Sequence, residues 1–170
     1  MVALEAPPDY YATWRLHMTT NTDRIEKQVL LKAPRQRVWR ALTDSAEFGS
    51  WFRVLLKDPF APGKGISGPV LHPGYEHLTW TVTIETIEPE RLFSWRWKPH
   101  AIDPSKDYSQ EPTTLVTFEL TEVPEGTLLR VTESGFDGIP LDRRETAFRG
   151  NSEGWAIQMG NIERHVTQNP

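Results

Sequence analysis

Four side chains in this chain are suited to acid–base or ion-pairing chemistry and fall on or just after predicted strands: Glu85, Arg96, His100 and Glu133. A carboxylate turned toward an apolar interior has a raised pKa and can serve as a base. An arginine turned the same way would pair with a carboxylate, of the protein or of a ligand. Charged side chains are rarely buried without a partner, so the outward orientation is favoured for Arg96 and likewise for Glu133. No two of the four stand at a spacing that dictates an acid–base pair. A cyclase- or hydrolase-like enzyme using them is therefore the second-ranked reading, behind a non-catalytic one.

Three motif matches fail in their context. Gly63-Lys64-Gly65-Ile66-Ser67-Gly68 spells GxGxxG, but a dinucleotide site needs those glycines between a strand and a helix start, and here Pro69 and an apolar run point to another strand. Gly150-Asn151-Ser152-Glu153-Gly154 spells GxSxG within a predicted helix, where a nucleophile elbow must instead leave a buried strand. His72 to His77 brackets Pro73-Gly74, which forbids the helix that zinc-binding histidine pairs require. The chain contains no cysteine, so thiolate metal sites, disulfides and a cysteine nucleophile are excluded. No cofactor is expected and no metal site is assigned.

The aromatic content is the more informative feature. Seven tryptophans in 170 residues bring large apolar area, each with one N–H that wants a partner when buried. Most apolar bulk is simply core, yet such rings also wall pockets for flat or apolar ligands. The net charge of −4 gives no basic footprint for nucleic acid. No run of about 18 apolar residues exists to span a bilayer, and Met1–Asp9 does not read as a signal peptide. The default expectation is a cytoplasmic protein with neither nucleic-acid nor membrane partners.

The elements that must position these residues follow from hydrophobic periodicity. Residues 1–23 read as an arm stiffened by Pro7-Pro8 and carrying Tyr10, Tyr11 and Trp14; residues 24–170 read as one domain. Arg24–Lys32 alternates as a strand. Pro34 suits the first turn of a helix, and Ser45 is the expected N-cap of a second. Val54–Lys57 reads as a short strand and Pro59–Gly68 as a loop. Strong alternation follows over Leu78–Glu85, Leu92–Lys98, Thr114–Glu122 and Thr127–Glu133, with a polar loop over Pro99–Pro112. Trp155, Met159, Ile162 and Val166 then recur at helical spacing, predicting a helix over Leu141–Gln168. The glycines inside it make sense where something approaches the backbone closely or the helix bends.

Taken in order, these segments resemble a known family. The opening Ile25-Glu26-Lys27, then Ala33-Pro34-Arg35-Gln36-Arg37-Val38-Trp39-Arg40-Ala41-Leu42-Thr43 and Trp51-Phe52, is similar to the Aha1-like (activator of Hsp90 ATPase homologue) branch of the START-like or SRPBCC superfamily, which also holds polyketide cyclases and Bet v 1-like proteins. Ile87-Glu88-Pro89-Glu90-Arg91-Leu92, Gly126-Thr127-Leu128-Leu129, Glu133-Ser134-Gly135-Phe136 and Glu153-Gly154-Trp155 continue the likeness. The resemblance implies an α+β helix-grip fold, a curved antiparallel sheet wrapped around a long C-terminal helix with a cavity for hydrophobic or aromatic molecules between them. The ligand-lining residues expected on that basis are Trp80, Val82, Trp95, Trp97, Phe118, Trp155 and Met159, with Glu85 and Arg96 as polar candidates. The first-ranked reading is a binding protein for a small hydrophobic molecule. A homodimer is a further expectation, and an Hsp90-associated interaction module ranks last, because the eukaryotic co-chaperones carry an additional N-terminal domain.

Overall fold

The computed structural model describes residues 21–170. Most of the expected arm, with Pro7, Pro8, Tyr10, Tyr11 and Trp14, lies outside the described residues. Strand β1 (Arg24–Leu31) leads through Pro34 into helix α1 (Arg35–Thr43) and helix α2 (Ser45–Phe52). Strands β2 (Gly65–Pro69), β3 (Thr79–Glu88), β4 (Leu92–Trp97), β5 (Thr114–Val123) and β6 (Gly126–Ser134) follow. A single 3-10 turn (Phe136–Gly138) then passes the chain into the 28-residue helix α3 (Leu141–Gln168).

The six strands form one antiparallel sheet in the order β1-β6-β5-β4-β3-β2. The first strand closes onto the last, and β2 to β6 run as a meander. Helix α3 packs on β1, on α1 and on α2, so the sheet grips the helix from one side and the short helices cover one end. This is the helix-grip arrangement. Within the sheet, alternation sends Trp80, Val82 and Ile84 of β3, Val116, Phe118 and Leu120 of β5, and Leu129 and Val131 of β6 inward. Trp155, Met159, Ile162 and Val166 are the buried stripe of α3.

Three local expectations are corrected. Val54 makes only an isolated bridge to Val70 rather than a strand over Val54–Lys57. Gly65–Gly68, expected within a loop, belongs to the edge strand Gly65–Pro69, because Ile66 is buried and pairs with Val82 of β3. The N-cap of α2 is Asp44, whose carboxylate accepts from the Glu47 N–H at 2.9 Å, one residue before the expected Ser45.

Glu47 also ties the three helices together. Its carboxylate meets Arg37 at 2.5 Å, Arg40 at 3.2 Å and His165 at 2.9 Å. Arg37 Nε in turn donates to the Asn169 carbonyl at 2.7 Å, holding the end of α3. Burial pushes the Glu47 pKa up, but the hydrogen bonds from His165 and Arg37, reinforced by the charges of Arg37 and Arg40, more than offset this and hold it low. A carboxylate whose folded-state pKa is depressed contributes stability that is fully present above its unfolded pKa of about 4.3 and is lost as pH falls through the lower folded value. Acid titration below about pH 4 should therefore release the last turns of α3 first. Amide exchange over residues 161–168 should accelerate before the sheet responds, and Glu47→Gln should abolish that difference.

Candidate functional site

The inward faces of sheet and helix meet in an aromatic cluster. Trp95 is fully buried at its centre, with ring centroids 5.5 Å from Trp80, 5.2 Å from Phe118, 5.7 Å from Phe48, 5.8 Å from Trp97 and 6.3 Å from Trp155. Most of these rings meet edge-on or tilted, as their quadrupoles favour. The space expected to be hollow between sheet and helix is thus largely filled by rings. Open volume lies instead at the mouth of the grip, where the cluster reaches the surface.

Two clefts share that mouth. The smaller, about 130 Å³, is lined by Phe52 of α2, Trp97 at the end of β4, and Asn151, Gly154, Trp155 and Gln158 of α3. The larger, about 470 Å³, lies where β4 has ended. The last residue pair between β3 and β4 is Thr83 with Arg96, which leaves the start of β3 paired to β2 alone. Trp80, Val82, His100, Ile102 and Thr113 are among its lining residues. Trp97 and Asn151 line both clefts and form the partition between them.

Behind that partition sits Glu133, with no exposed surface. It occupies one position in a row of inward residues running across five strands: Ile84, Trp95, Val116, Glu133 and Ile25 are successive cross-strand partners. Every other member of the row is apolar. The carboxylate is held by neutral donors alone. Trp97 Nε1 donates to Oε1 at 2.7 Å and the Thr114 hydroxyl to the same oxygen at 2.6 Å. Trp155 Nε1 donates to Oε2 at 2.6 Å, and the Asn151 amide reaches both oxygens at 3.1 Å. Among the described residues no cationic side chain pairs with it. Burial pushes its pKa up, and the four donors pull the other way without overcoming that. Each oxygen faces an indole N–H that can only donate, which suits an acceptor on both sides.

The outward expectation for Glu133 is thereby overturned. Its desolvation is partly offset by four hydrogen bonds rather than by a counter-charge. The sequence did carry a signal: Leu129, Val131 and Glu133 share one parity on β6, and Leu129 and Val131 are apolar. Glu85 and Arg96 go the other way. They pair with each other at 3.0 Å on the outer face of the sheet, each about two-fifths exposed, so they are not brought to Glu133. Arg96 only edges the larger cleft. Trp80, Val82, Trp95, Phe118, Trp155 and Met159 are all buried, and Trp97 is partly so. Sequence reasoning misses Asn151, whose local pattern spells only a chance GxSxG match, and Phe52.

His100 adopts a left-handed backbone (φ 51°) and lays its ring against α3. A Cβ on Gly150 would stand 2.7 Å from that ring, so glycine is what admits the close approach expected within this helix. Burial, and then the charge of Arg143, lower the His100 pKa, keeping the imidazole neutral near pH 7. Gly154 is different: among the described residues a Cβ there would meet nothing within 4 Å, and its open side faces the smaller cleft. Trp80 Nε1 and Trp95 Nε1 are buried with no hydrogen-bond partner among the described residues.

The loop between β4 and β5 is pinned over this mouth by Arg143, which chelates the Glu111 carboxylate, donates to the Pro99 carbonyl at 2.9 Å and stacks on Tyr108. The hydrogen bond from Arg143 holds the Glu111 pKa low. A hydrogen bond to a charged group contributes about 1.5–3 kcal/mol, so Glu111→Gln should raise amide exchange in residues 100–112 by roughly tenfold or more, with the β5–β6 core unchanged. His72 and His77 lie in an exposed stretch between β2 and β3, and the described residues contain no group of ligating side chains able to hold a metal. No described helix is long and apolar enough to cross a membrane.

Comparison with known proteins bears on the same region. The family model described as "Activator of Hsp90 ATPase homolog 1-like protein" matches residues 32–167. The comparison with curated proteins found no match. Among solved structures, protein MLL2253 from Mesorhizobium loti aligns over 86% of this chain and 98% of its own, at 23% identity and a TM-score of 0.68. DynU16, of the dynemicin biosynthetic locus, aligns over 85% of this chain and 47% of its own at 23% identity and a TM-score of 0.66. The Aha1 dimer from Colwellia psychrerythraea aligns over 84% and 95% at 16% identity and a TM-score of 0.63. At these identities the structures establish a shared fold.

Proposed function

This chain belongs to the family of activator of Hsp90 ATPase homolog 1-like proteins, and from that premise we propose that it binds a small apolar or aromatic molecule at the mouth of its helix grip. Family and fold support a ligand-binding groove in general. The observation that carries the finer reading is the small cleft walled by Phe52, Trp97 and Trp155 around the bare backbone of Gly154. Helix-interior glycine costs about 1 kcal/mol relative to alanine, and at Gly154 no atom of the described residues takes up the space that glycine leaves. A ligand in contact with the helix backbone accounts for it. Trp80 lines the adjoining cleft, and its N–H, which has no partner among the described residues, supports a ligand that also carries an acceptor.

We read the protein as a binder rather than a catalyst. Both oxygens of Glu133 are occupied by donors and neither is exposed. Glu85 and Arg96 neutralise one another on the outer face. No unengaged base among the four candidates faces the clefts except the neutral His100.

The test is a titration with a neutral apolar fluorophore, N-phenyl-1-naphthylamine, into wild type and Gly154→Leu. Leucine fills the cleft and improves helix propensity by just under about 1 kcal/mol. The expected result is a fluorescence rise on wild type, at least about tenfold weaker binding by the variant (about 1.4 kcal/mol), and a melting temperature that is unchanged or higher. Equal binding by both proteins, or none by wild type, overturns the reading.

A further inference from the structure

We propose that the ligand of the small cleft is an organic cation, an ammonium group on a small apolar or aromatic body. This rests on the reading of the mouth as a ligand groove and adds the charge of its occupant. Among the described residues the small cleft is lined by three aromatic residues, two neutral amides and a glycine, with no charged side chain of either sign. Directly behind two of its walls, Trp97 and Trp155, lies the Glu133 carboxylate, hydrogen-bonded to both indole N–H groups.

Three physical consequences point the same way. An indole that donates to a carboxylate is polarised so that its ring becomes more electron-rich, and a cation at an indole face is attracted by that charge. Glu133 has no cation of its own among the described residues, and a buried carboxylate without one is held at a cost that a positive ligand nearby would lower. An anion at the same place would be repelled through a medium of low dielectric. Asn151 completes the arrangement: its amide is committed to Glu133, so its carbonyl oxygen remains as the acceptor at the partition between the clefts. Of the cations near the mouth, Arg96 and Lys98 line the larger cleft, Arg143 is engaged by Glu111 and the Pro99 carbonyl, and none of the three lines the smaller cleft.

The experiment compares three probes of one shape and different charge: 2-phenylethylammonium, 2-phenylethanol and phenylacetate. Each is titrated into the protein while the indole N–H resonances of Trp97 and Trp155 are followed by NMR, assigned with Trp97→Phe and Trp155→Phe. The expected result is a shift of both resonances with 2-phenylethylammonium, binding roughly tenfold tighter than for the alcohol and weakest for phenylacetate, and loss of the effect in Gly154→Leu. If the alcohol or phenylacetate binds as well as the ammonium, the charge assignment fails while the groove reading stands. If none of the three shifts either resonance, both fail. Ammonium binding retained in Gly154→Leu places the ligand elsewhere and overturns the proposal.

Discussion

Glu133→Gln should destabilise the fold by about 1–3 kcal/mol and Glu133→Ala by more, although both remove a buried charge. If desolvation of the carboxylate dominated, the neutral glutamine would stabilise the protein. The hydrogen-bond inventory decides otherwise. Trp97 Nε1 on one oxygen and Trp155 Nε1 on the other can only donate. A glutamine offers one acceptor oxygen and one amide nitrogen, so one of the two indoles must face another donor. Leaving a buried donor unpaired costs about 1–3 kcal/mol, and opposing two donors costs at least as much. Alanine strands all four donors and opens a cavity as well. Chemical denaturation at fixed pH measures this, and a glutamine variant as stable as wild type contradicts the account.

The pH dependence separates charge from hydrogen bonding. The folded-state pKa of Glu133 is raised, so the unfolded chain gives up this proton at lower pH than the folded one. Stability from this group is greatest below the unfolded pKa of about 4.3 and declines as pH rises toward the folded value. Glutamine lacks that decline. The gap between wild type and Glu133→Gln should therefore be widest in mild acid and narrow as pH rises.

Trp155→Ala should cost about 4–5 kcal/mol, at or near the top of the range for a buried aromatic. Trp155 is 2% exposed, with ring centroids 5.7 Å from Phe118, 5.9 Å from Trp97 and 6.1 Å from Phe52, and it also supplies a short hydrogen bond to Glu133. Trp155→Phe keeps most of the ring contact and removes the donor, so it isolates the hydrogen bond at about 1–3 kcal/mol. Combined with Glu133→Gln the two losses should not add. The glutamine amide can then face the position the indole N–H has vacated, leaving a coupling of about 1 kcal/mol or more in a double-mutant cycle. Strict additivity would mean that Trp155 acts on stability through packing alone.

What was legible in the sequence followed periodicity. The spacing of Trp155, Met159, Ile162 and Val166 located α3 to its observed bounds, and alternation located β3 to β6. Edge strand β2 escaped because its five residues include two glycines and a proline, and only Ile66 carries an apolar signal. The placement of Glu133 was written in its parity with Leu129 and Val131, but a rule about charged residues outweighed it. That rule holds for charges without partners, and the partners of Glu133 come from β4, β5 and α3, which no local pattern connects. Arg96 obeyed the rule because Glu85 stands across from it on the same outer face. The clefts themselves were illegible. They depend on where β4 stops relative to β3 and on the absence of any described residue opposite Gly154, both of which are properties of the packed chain.

The most direct measurement is a high-resolution electron-density map of the protein as isolated, inspected beside the α3 backbone between Phe52 and Trp97. A compact non-protein molecule resting against Gly154 is the predicted result. A site holding only ordered water, in protein never exposed to competing solvent or additive, would contradict it.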